Sequence, residues 1–218
     1  GLALYITVDG LLGGLEQESE RNLIWFETGS AQVVDTDYVD ERDLRPLKHA
    51  VDQVEEVRQR MEHAGIDTAA RVVFHGEMIV YKDPFPEDGS VNIVGYGIEP
   101  STDDEVFRLP DTVAAGRFLE PGEHGALVGS WLADDLGADI GYPITIVTRT
   151  RQGFYQTMDL EIVGIVDTPN GQVNRRSVFI PLDVVDTYLQ MDGGVTEIAV
   201  AAPEFASLKA LRNQMEAE

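Results

Sequence analysis

The sequence predicts an α+β fold in which a β-rich unit is inserted into a unit that carries the longer helices. Segments with helical periodicity lie near the start, in the first third and at the end of the 218-residue chain. From Pro100 to Leu182 the pattern changes to short apolar segments separated by tight polar turns. Helices and strands that are segregated along the chain in this way are typical of the α+β class.

The elements before residue 70 follow from residue type and spacing. A first helix is predicted because apolar residues recur at spacings of three and four; they are Leu4, Val8, Leu11 and Leu15. Residues 23–28 and 31–34 are rich in β-branched and aromatic side chains, which predicts strands. A second helix is predicted over residues 47–63, again from apolar spacing; its apolar positions are Val51, Val54, Val57 and Met61.

A hairpin and a series of short elements are predicted next. Residues 71–81 and 91–98 are predicted strands joined across a polar turn. Ser101 is predicted to cap a short helix whose first turn is acidic, and Ser130 is predicted to cap a helix over 131–136. The chain then continues with a predicted helix over 183–190, a strand over 195–201 and a final helix over 204–218.

Composition excludes some partners. The formal net charge is −23, so the surface repels nucleic acid and anionic lipid headgroups, and no nucleic-acid partner is predicted. The chain contains no cysteine, which excludes a disulfide framework. It has no run of about twenty apolar residues. Because it begins at Gly1, without Met or a basic leader, we expect it to be part of a longer protein.

No catalytic, cofactor or metal site is predicted. The phosphate-binding pattern GxxxxGKS/T does not occur, so ATP hydrolysis by this chain is not expected. Gly129-Ser130-Trp131 lacks the closing glycine of a GxSxG nucleophile elbow. The histidines are predicted to be surface or capping residues, since no spacing among them suits a metal ion; they are His49, His63, His75 and His124.

Two polar turns concentrate positive charge and aromatic rings on this acidic chain, and they form a candidate partner-binding patch. The first turn, 148–157, carries most of them and the next polar turn carries the rest. The candidate residues are Arg149, Arg151, Phe154, Tyr155, Arg175 and Arg176. Ordinary exposed hairpin tips are the alternative interpretation of both turns.

The order of motifs between residues 116 and 182 resembles the MacB-like periplasmic core domain of ABC-transporter permeases, a family of MacB, LolC–LolE and FtsX-type permeases. In that family a Gly-Arg pair and an apolar strand precede a helix that ends at Leu-Gly. A Gly turn, a Val-Gly-Ile strand and an Ile-Pro-Leu strand follow. The matching residues here are Gly116-Arg117, Ala126 to Gly129, Leu136-Gly137, Ile140-Gly141, Val163-Gly164-Ile165 and Ile180-Pro181-Leu182.

The resemblance implies a division into subdomains. Residues 1–21 would be a stalk helix that continues from a preceding transmembrane segment. Residues 22–99 and 194–218 would form a porter-like α+β subdomain, and residues 100–193 would form an inserted, β-rich, Sabre-like subdomain. In LolC-like members the turn equivalent to 148–157 is extended into a Pro-bounded hook that captures a lipoprotein carrier; here it is short and contains no proline.

The resemblance also implies a function and a location. The chain would be the extracytoplasmic domain of a permease in the plasma or inner membrane, coupling ATP-driven motion to export or extraction of a lipoprotein, lipid, peptide or drug. Its partners would be a cytoplasmic ABC ATPase subunit, a second permease copy or paralogue, and an extracytoplasmic substrate or carrier protein. No cofactor is implied. Two alternatives stay open: a soluble extracytoplasmic binding or sensor module without a transporter, and a hydrolase whose site is spread over positions that match no motif.

Overall fold

The computed structural model describes residues 2–6, 21–80 and 90–201, which form ten strands and five α-helices with short 3₁₀ and π-helical turns. The strands are β1 (Leu2–Ile6), β2 (Ala31–Asp35), β3 (Asp67–Val80), β4 (Val91–Ile98), β5 (Val113–Gly116), β6 (Gly125–Gly129), β7 (Pro143–Arg149), β8 (Tyr155–Val166), β9 (Ser177–Pro181) and β10 (Glu197–Ala201). The helices are α1 (Thr36–Glu41), α2 (Val54–His63), α3 (Ser130–Leu136), α4 (Gly171–Arg176) and α5 (Leu182–Leu189). This mixture confirms the predicted α+β class.

All ten strands belong to one sheet, and six of them close into a ring. The pairing runs from β3 to β4, β9, β6, β8 and β7, and β7 pairs with β3 again. Strands β10, β2 and β1 extend the sheet from β3, and β5 pairs with β8. The 14-residue β3 can join β10, β4 and β7 because each pairs with a different part of its length.

The predicted β3–β4 hairpin and the helix near 183–190 are confirmed, but two predictions near the start are wrong. Leu2–Ile6 is a strand rather than a helix, because it pairs antiparallel with β2 and Leu4 lies opposite Val33. Val8, Leu11 and Leu15, which carried the same prediction, lie outside the described residues. Residues 24–28 form a π-helical turn instead of a strand; Gly29, with a φ of 67°, closes the turn and its N–H donates to Ile24 O.

Two further predictions need correction. Helix α2 begins at Val54 rather than at residue 47, because Val51 exchanges backbone hydrogen bonds with Val195 and is held in an extended bridge. Asp103–Glu105 is a short 3₁₀ turn without a side-chain cap, not an α-helix. The predicted final helix, 204–218, lies outside the described residues.

The predicted subdomain division remains a prediction, and strands from both predicted parts join the same sheet. Strand β4, from the first part, pairs with β9, from the second. In the same way β3 pairs with β7. The boundary near residue 100 therefore does not divide the strands into two separate sheets. Within the described ranges, no helix is long and apolar enough to cross a membrane.

Of the three hydrophobic clusters among the described residues, the two larger ones pack on opposite faces of the sheet. Val72, Phe74 and Met78 of β3 belong to the larger core, and Val73 between them belongs to the smaller one, as the alternation along a strand requires. Gly95 lies opposite Phe74 in the pairing, and a Cβ at Gly95 would lie 2.2 Å from the Phe74 ring. Glycine is thus the residue that lets this ring pack flat against β4.

Candidate functional site

The turn between β7 and β8 presents two exposed aromatic side chains. Phe154 is 70% exposed and Tyr155 is 74% exposed. The Arg149 guanidinium lies 4.3 Å from the centre of the Tyr155 ring and donates to Tyr155 Oη at 2.9 Å and to Gly153 O at 3.0 Å. These contacts hold the tip in one shape, so that its aromatic surface faces solvent without collapsing onto the sheet.

Arg151 points away from this surface and anchors the turn. Its Nη1 donates to Met191 O at 3.0 Å and lies 2.8 Å from an Asp52 carboxylate oxygen. It therefore ties the β7–β8 turn to the segment after α5 and to the segment before α2. Of the predicted candidates in this turn, the structure brings Arg149 and Tyr155 into contact, leaves Phe154 exposed next to Tyr155 in the chain, and gives Arg151 a structural contact.

Arg175 and Arg176 lie on α4, not in a turn, and on a different element from the β7–β8 tip. The Arg175 guanidinium packs 5.1 Å from the centre of the Trp131 ring, and Arg176 Nη2 donates to Gln172 Oε1 at 2.9 Å. Ser177, just after α4, aligns with Val94, which in turn aligns with His75. Two strands, β4 and β3, thus separate α4 from the β7–β8 turn at the same end of the ring.

A polar cavity of about 500 Å³ lies beside α4, between the π-helical turn, α1, β3, β4 and β10. Its lining carries three carboxylates and three guanidinium groups; these are Glu27, Asp43, Glu197, Arg42, Arg45 and Arg176. Sequence reasoning missed this cavity. The available signal was a lone glutamate, Glu197, at the start of the apolar β10 segment.

Glu197 is the most deeply buried acid of this cavity, with 6% of its surface exposed. Its Oε2 accepts a hydrogen bond from Gln32 Nε2 at 3.0 Å. Burial raises the pKa of the Glu197 carboxyl to about 7, and the positive charge of Arg71, its partner across the β10–β3 pairing, opposes that rise. Burial also raises the pKa of Tyr96 to about 12 and raises that of Tyr38.

One group with metal-like spacing occurs among the described residues, and capping explains part of it. Oxygen or nitrogen atoms of Asp35, Asp37 and His49 lie within 4.8 Å of one another. Asp35 is the N-cap of α1, and its Oδ1 accepts from the Asp37 N–H at 2.9 Å.

The predicted capping role of Ser130 is wrong: Gly129 is the N-cap of α3, and Ser130 Oγ donates to Asp167 at 2.8 Å.

Comparison with known proteins gives a family match over the whole chain. The family described as the MacB-like periplasmic core domain matches residues 1–218. The chain is 35% identical over 79 residues to the lipoprotein-releasing system transmembrane protein LolC of Neisseria meningitidis serogroup B. The alignment covers 33% of this chain. The matched part spans only 19% of that protein's length.

Two solved structures share the fold. The extracellular domain of the noncanonical ABC-type transporter YknZ from Gram-positive bacteria superposes with a TM-score of 0.54 at 14% identity, covering 77% of this chain and 85% of that one. The periplasmic region of MacB from Actinobacillus actinomycetemcomitans superposes with a TM-score of 0.55 at 12% identity, covering 86% and 83%. At these identities the likeness concerns the fold alone.

Proposed function

The chain belongs to the MacB-like periplasmic core domain family, whose members are extracytoplasmic domains of ABC-transporter permeases, and we propose that it couples ATP-driven membrane motion to the movement of a substrate. A cytoplasmic ABC ATPase subunit hydrolyses the ATP, and a second permease copy or paralogue supplies the opposing domain. The substrate is a lipoprotein, lipid, peptide or drug outside the cytoplasm. The observation that carries this proposal is the family match over residues 1–218.

The architecture suits a body that is moved as a unit. The closed ring of six strands leaves each of its members paired on both sides, and the large core packs α2, α3 and α5 against it. A domain packed in this way transmits a push from one side to the other as a rigid-body displacement, because its core is not continuously deformable. In this proposal the ATPase subunit hydrolyses ATP, and this domain carries out no reaction of its own.

A distance measurement tests the coupling. The chain contains no cysteine, so Glu62→Cys supplies the one labelling site of this domain, on the exposed face of α2 and outside the β7–β8 turn. With one spin label on the domain of each permease subunit in lipid nanodiscs, the label-to-label distance is expected to change by several ångströms. The comparison is between nucleotide-free transporter and transporter with ATP trapped on a hydrolysis-deficient ATPase subunit.

The matched control is the same labelled transporter with ADP, for which the nucleotide-free distances are expected. ATP binding to the ATPase subunit is verified in each sample. Identical distance distributions with and without trapped ATP would contradict the coupling, because a domain that does not move cannot transmit work.

We further propose that the tip formed by Arg149, Phe154 and Tyr155 contacts the substrate or its carrier. Two exposed rings beside a cation form an amphipathic contact surface of the kind that is enriched at protein interfaces. The double variant Phe154→Ser, Tyr155→Ser is expected to reduce severalfold the ability of the complete transporter to restore a strain that lacks it. The free energy of unfolding of the domain is expected to change little, because both rings are exposed.

The control for this prediction is Ile140→Ser, which removes a partly exposed apolar side chain from the turn before β7, at the other end of that strand. Full restoration is expected for it. Equal restoration by the tip variant and the control would show that the tip takes no part in binding.

A further inference from the structure

Among the described residues, three buried side-chain atoms have no hydrogen-bond partner, and two of them belong to residues that line the polar cavity beside α4. These two are Glu197 Oε1 and Arg45 Nη1; the third is Nη1 of Arg71, the neighbour of Glu197 in the β10–β3 pairing. Glu197 uses only its other oxygen, towards Gln32, and the Arg45 guanidinium lies 6.0 Å from the centre of the Tyr96 ring. Buried polar atoms are normally paired, so two unpaired atoms of opposite sign in one cavity point to a missing partner.

The two groups do not satisfy each other, although they line the same space. No ion pair joins Arg45 to Glu197, while their charges are close enough for Arg45 to lower the pKa of Glu197. Arg45 ends a 3₁₀ turn with a left-handed φ of 47°, and the Glu197 carboxylate is held by Gln32. The backbone and Gln32 thus hold the two charges apart across the cavity.

The charges of the lining select a class of ligand. Three carboxylates and three guanidinium groups face the same cavity on a chain whose net charge is −23. A simple anion would be repelled by the carboxylates of the lining, and a simple cation would be repelled by its guanidinium groups. A molecule that carries one charge of each sign at its two ends pairs with both. Val73, Val94 and Val173 supply an apolar wall between them.

We propose that this cavity binds a small zwitterion of the free amino acid or dipeptide class, with its ammonium group at Glu197 and its carboxylate at Arg45. A cavity of about 500 Å³ is within the range of small-molecule sites and is large enough for either. The guanidinium of Arg45 suits a carboxylate because it offers paired N–H donors. This site is independent of the transport role and would exist in the isolated domain.

Calorimetric titration of the 218-residue chain with alanyl-alanine at about pH 7.5, where more than half of the Glu197 carboxyl is ionised, tests the proposal. Saturable binding is expected, and two analogues dissect its charges: acetyl-alanyl-alanine lacks the ammonium, and alanyl-alaninamide lacks the carboxylate. Each is expected to bind at least about tenfold more weakly. The fully blocked peptide, which has neither charge, is expected not to bind. Absence of heat with alanyl-alanine at about 10 mM, or equal affinity for the blocked peptide, would overturn the proposal.

Substitutions locate the binding in this cavity. Glu197→Gln and Arg45→Gln are each expected to weaken alanyl-alanine binding at least about tenfold. The matched controls are Glu62→Gln and Arg60→Gln, which change the same residue types on the exposed face of α2 and should leave affinity unchanged. Circular dichroism confirms that each variant is folded. Unchanged affinity in folded Glu197→Gln would place the binding elsewhere and contradict the assignment.

Discussion

Replacing Asp103 with alanine is expected to lower the free energy of unfolding by about 3–5 kcal/mol. Asp103 and Arg71 are both fully buried, and Arg71 Nε and Nη2 each donate to the Asp103 carboxylate at 2.9 Å. Removing the carboxylate leaves a buried guanidinium without an ion-pair partner, because Glu197, its neighbour on β10, makes no hydrogen bond to it. The centre of the Phe107 ring lies 3.2 Å from the guanidinium carbon, and its attraction for the cation offsets only a small part of the lost interaction. Urea unfolding near neutral pH measures the change.

A neighbouring acid provides the control for Asp103. Asp104 follows directly in the same 3₁₀ turn but is exposed, so Asp104→Ala is expected to change stability by less than about 0.5 kcal/mol. The double variant Arg71→Met, Asp103→Ala should recover much of the loss, because it also removes the buried charge. A loss below about 1 kcal/mol for Asp103→Ala would show that water reaches Arg71 and that the pair is not dry.

Elements whose signal is local were predictable from the sequence. The β3–β4 hairpin follows from two apolar, β-branched segments joined by a polar turn, and its antiparallel pairing of Arg71 with Ile98 agrees with that prediction. Helix α5 was predictable because it begins directly after Pro181, a residue that commonly precedes or opens a helix. Leu2–Ile6 was mistaken for a helix because leucine spacing carries no information about β2, the strand with which it pairs.

The polar interior was not predictable, because its contacts join residues that are remote in the chain. Asp103 fits equally well an exposed acid in the first turn of a helix, and only the fold places it against Arg71, 32 positions earlier. Gln32 and Glu197 are 165 positions apart. A single sequence gives the residue types at such positions but not which of them meet. The cavity that these residues line was missed for the same reason.

Glu197→Gln is expected to make the domain about 3 kcal/mol more stable near pH 8 and to leave its stability near pH 4 unchanged. The pKa of the Glu197 carboxyl is raised from 4.5 to about 7, chiefly by burial. The charged or titratable groups that act on this carboxyl are Arg71, Arg45, Arg42, Glu27, Tyr38 and Tyr96. Glutamine has nearly the same shape and has no proton to lose, so it resembles the protonated glutamate at every pH.

The sign follows from proton binding. Between about pH 4.5 and 7 the folded chain keeps the Glu197 proton and the unfolded chain has released it, so the unfolded state binds fewer protons. Stability from this group is therefore fully present below about pH 4.5, falls as the pH rises and levels off above about 7. Urea unfolding of both proteins across this range isolates the effect, because the other acids are common to both. A difference that stays constant from about pH 4 to 8 would mean that the pKa of the Glu197 carboxyl is the same in the folded and the unfolded chain. The Arg71 and Arg45 charges would then cancel the effect of burial.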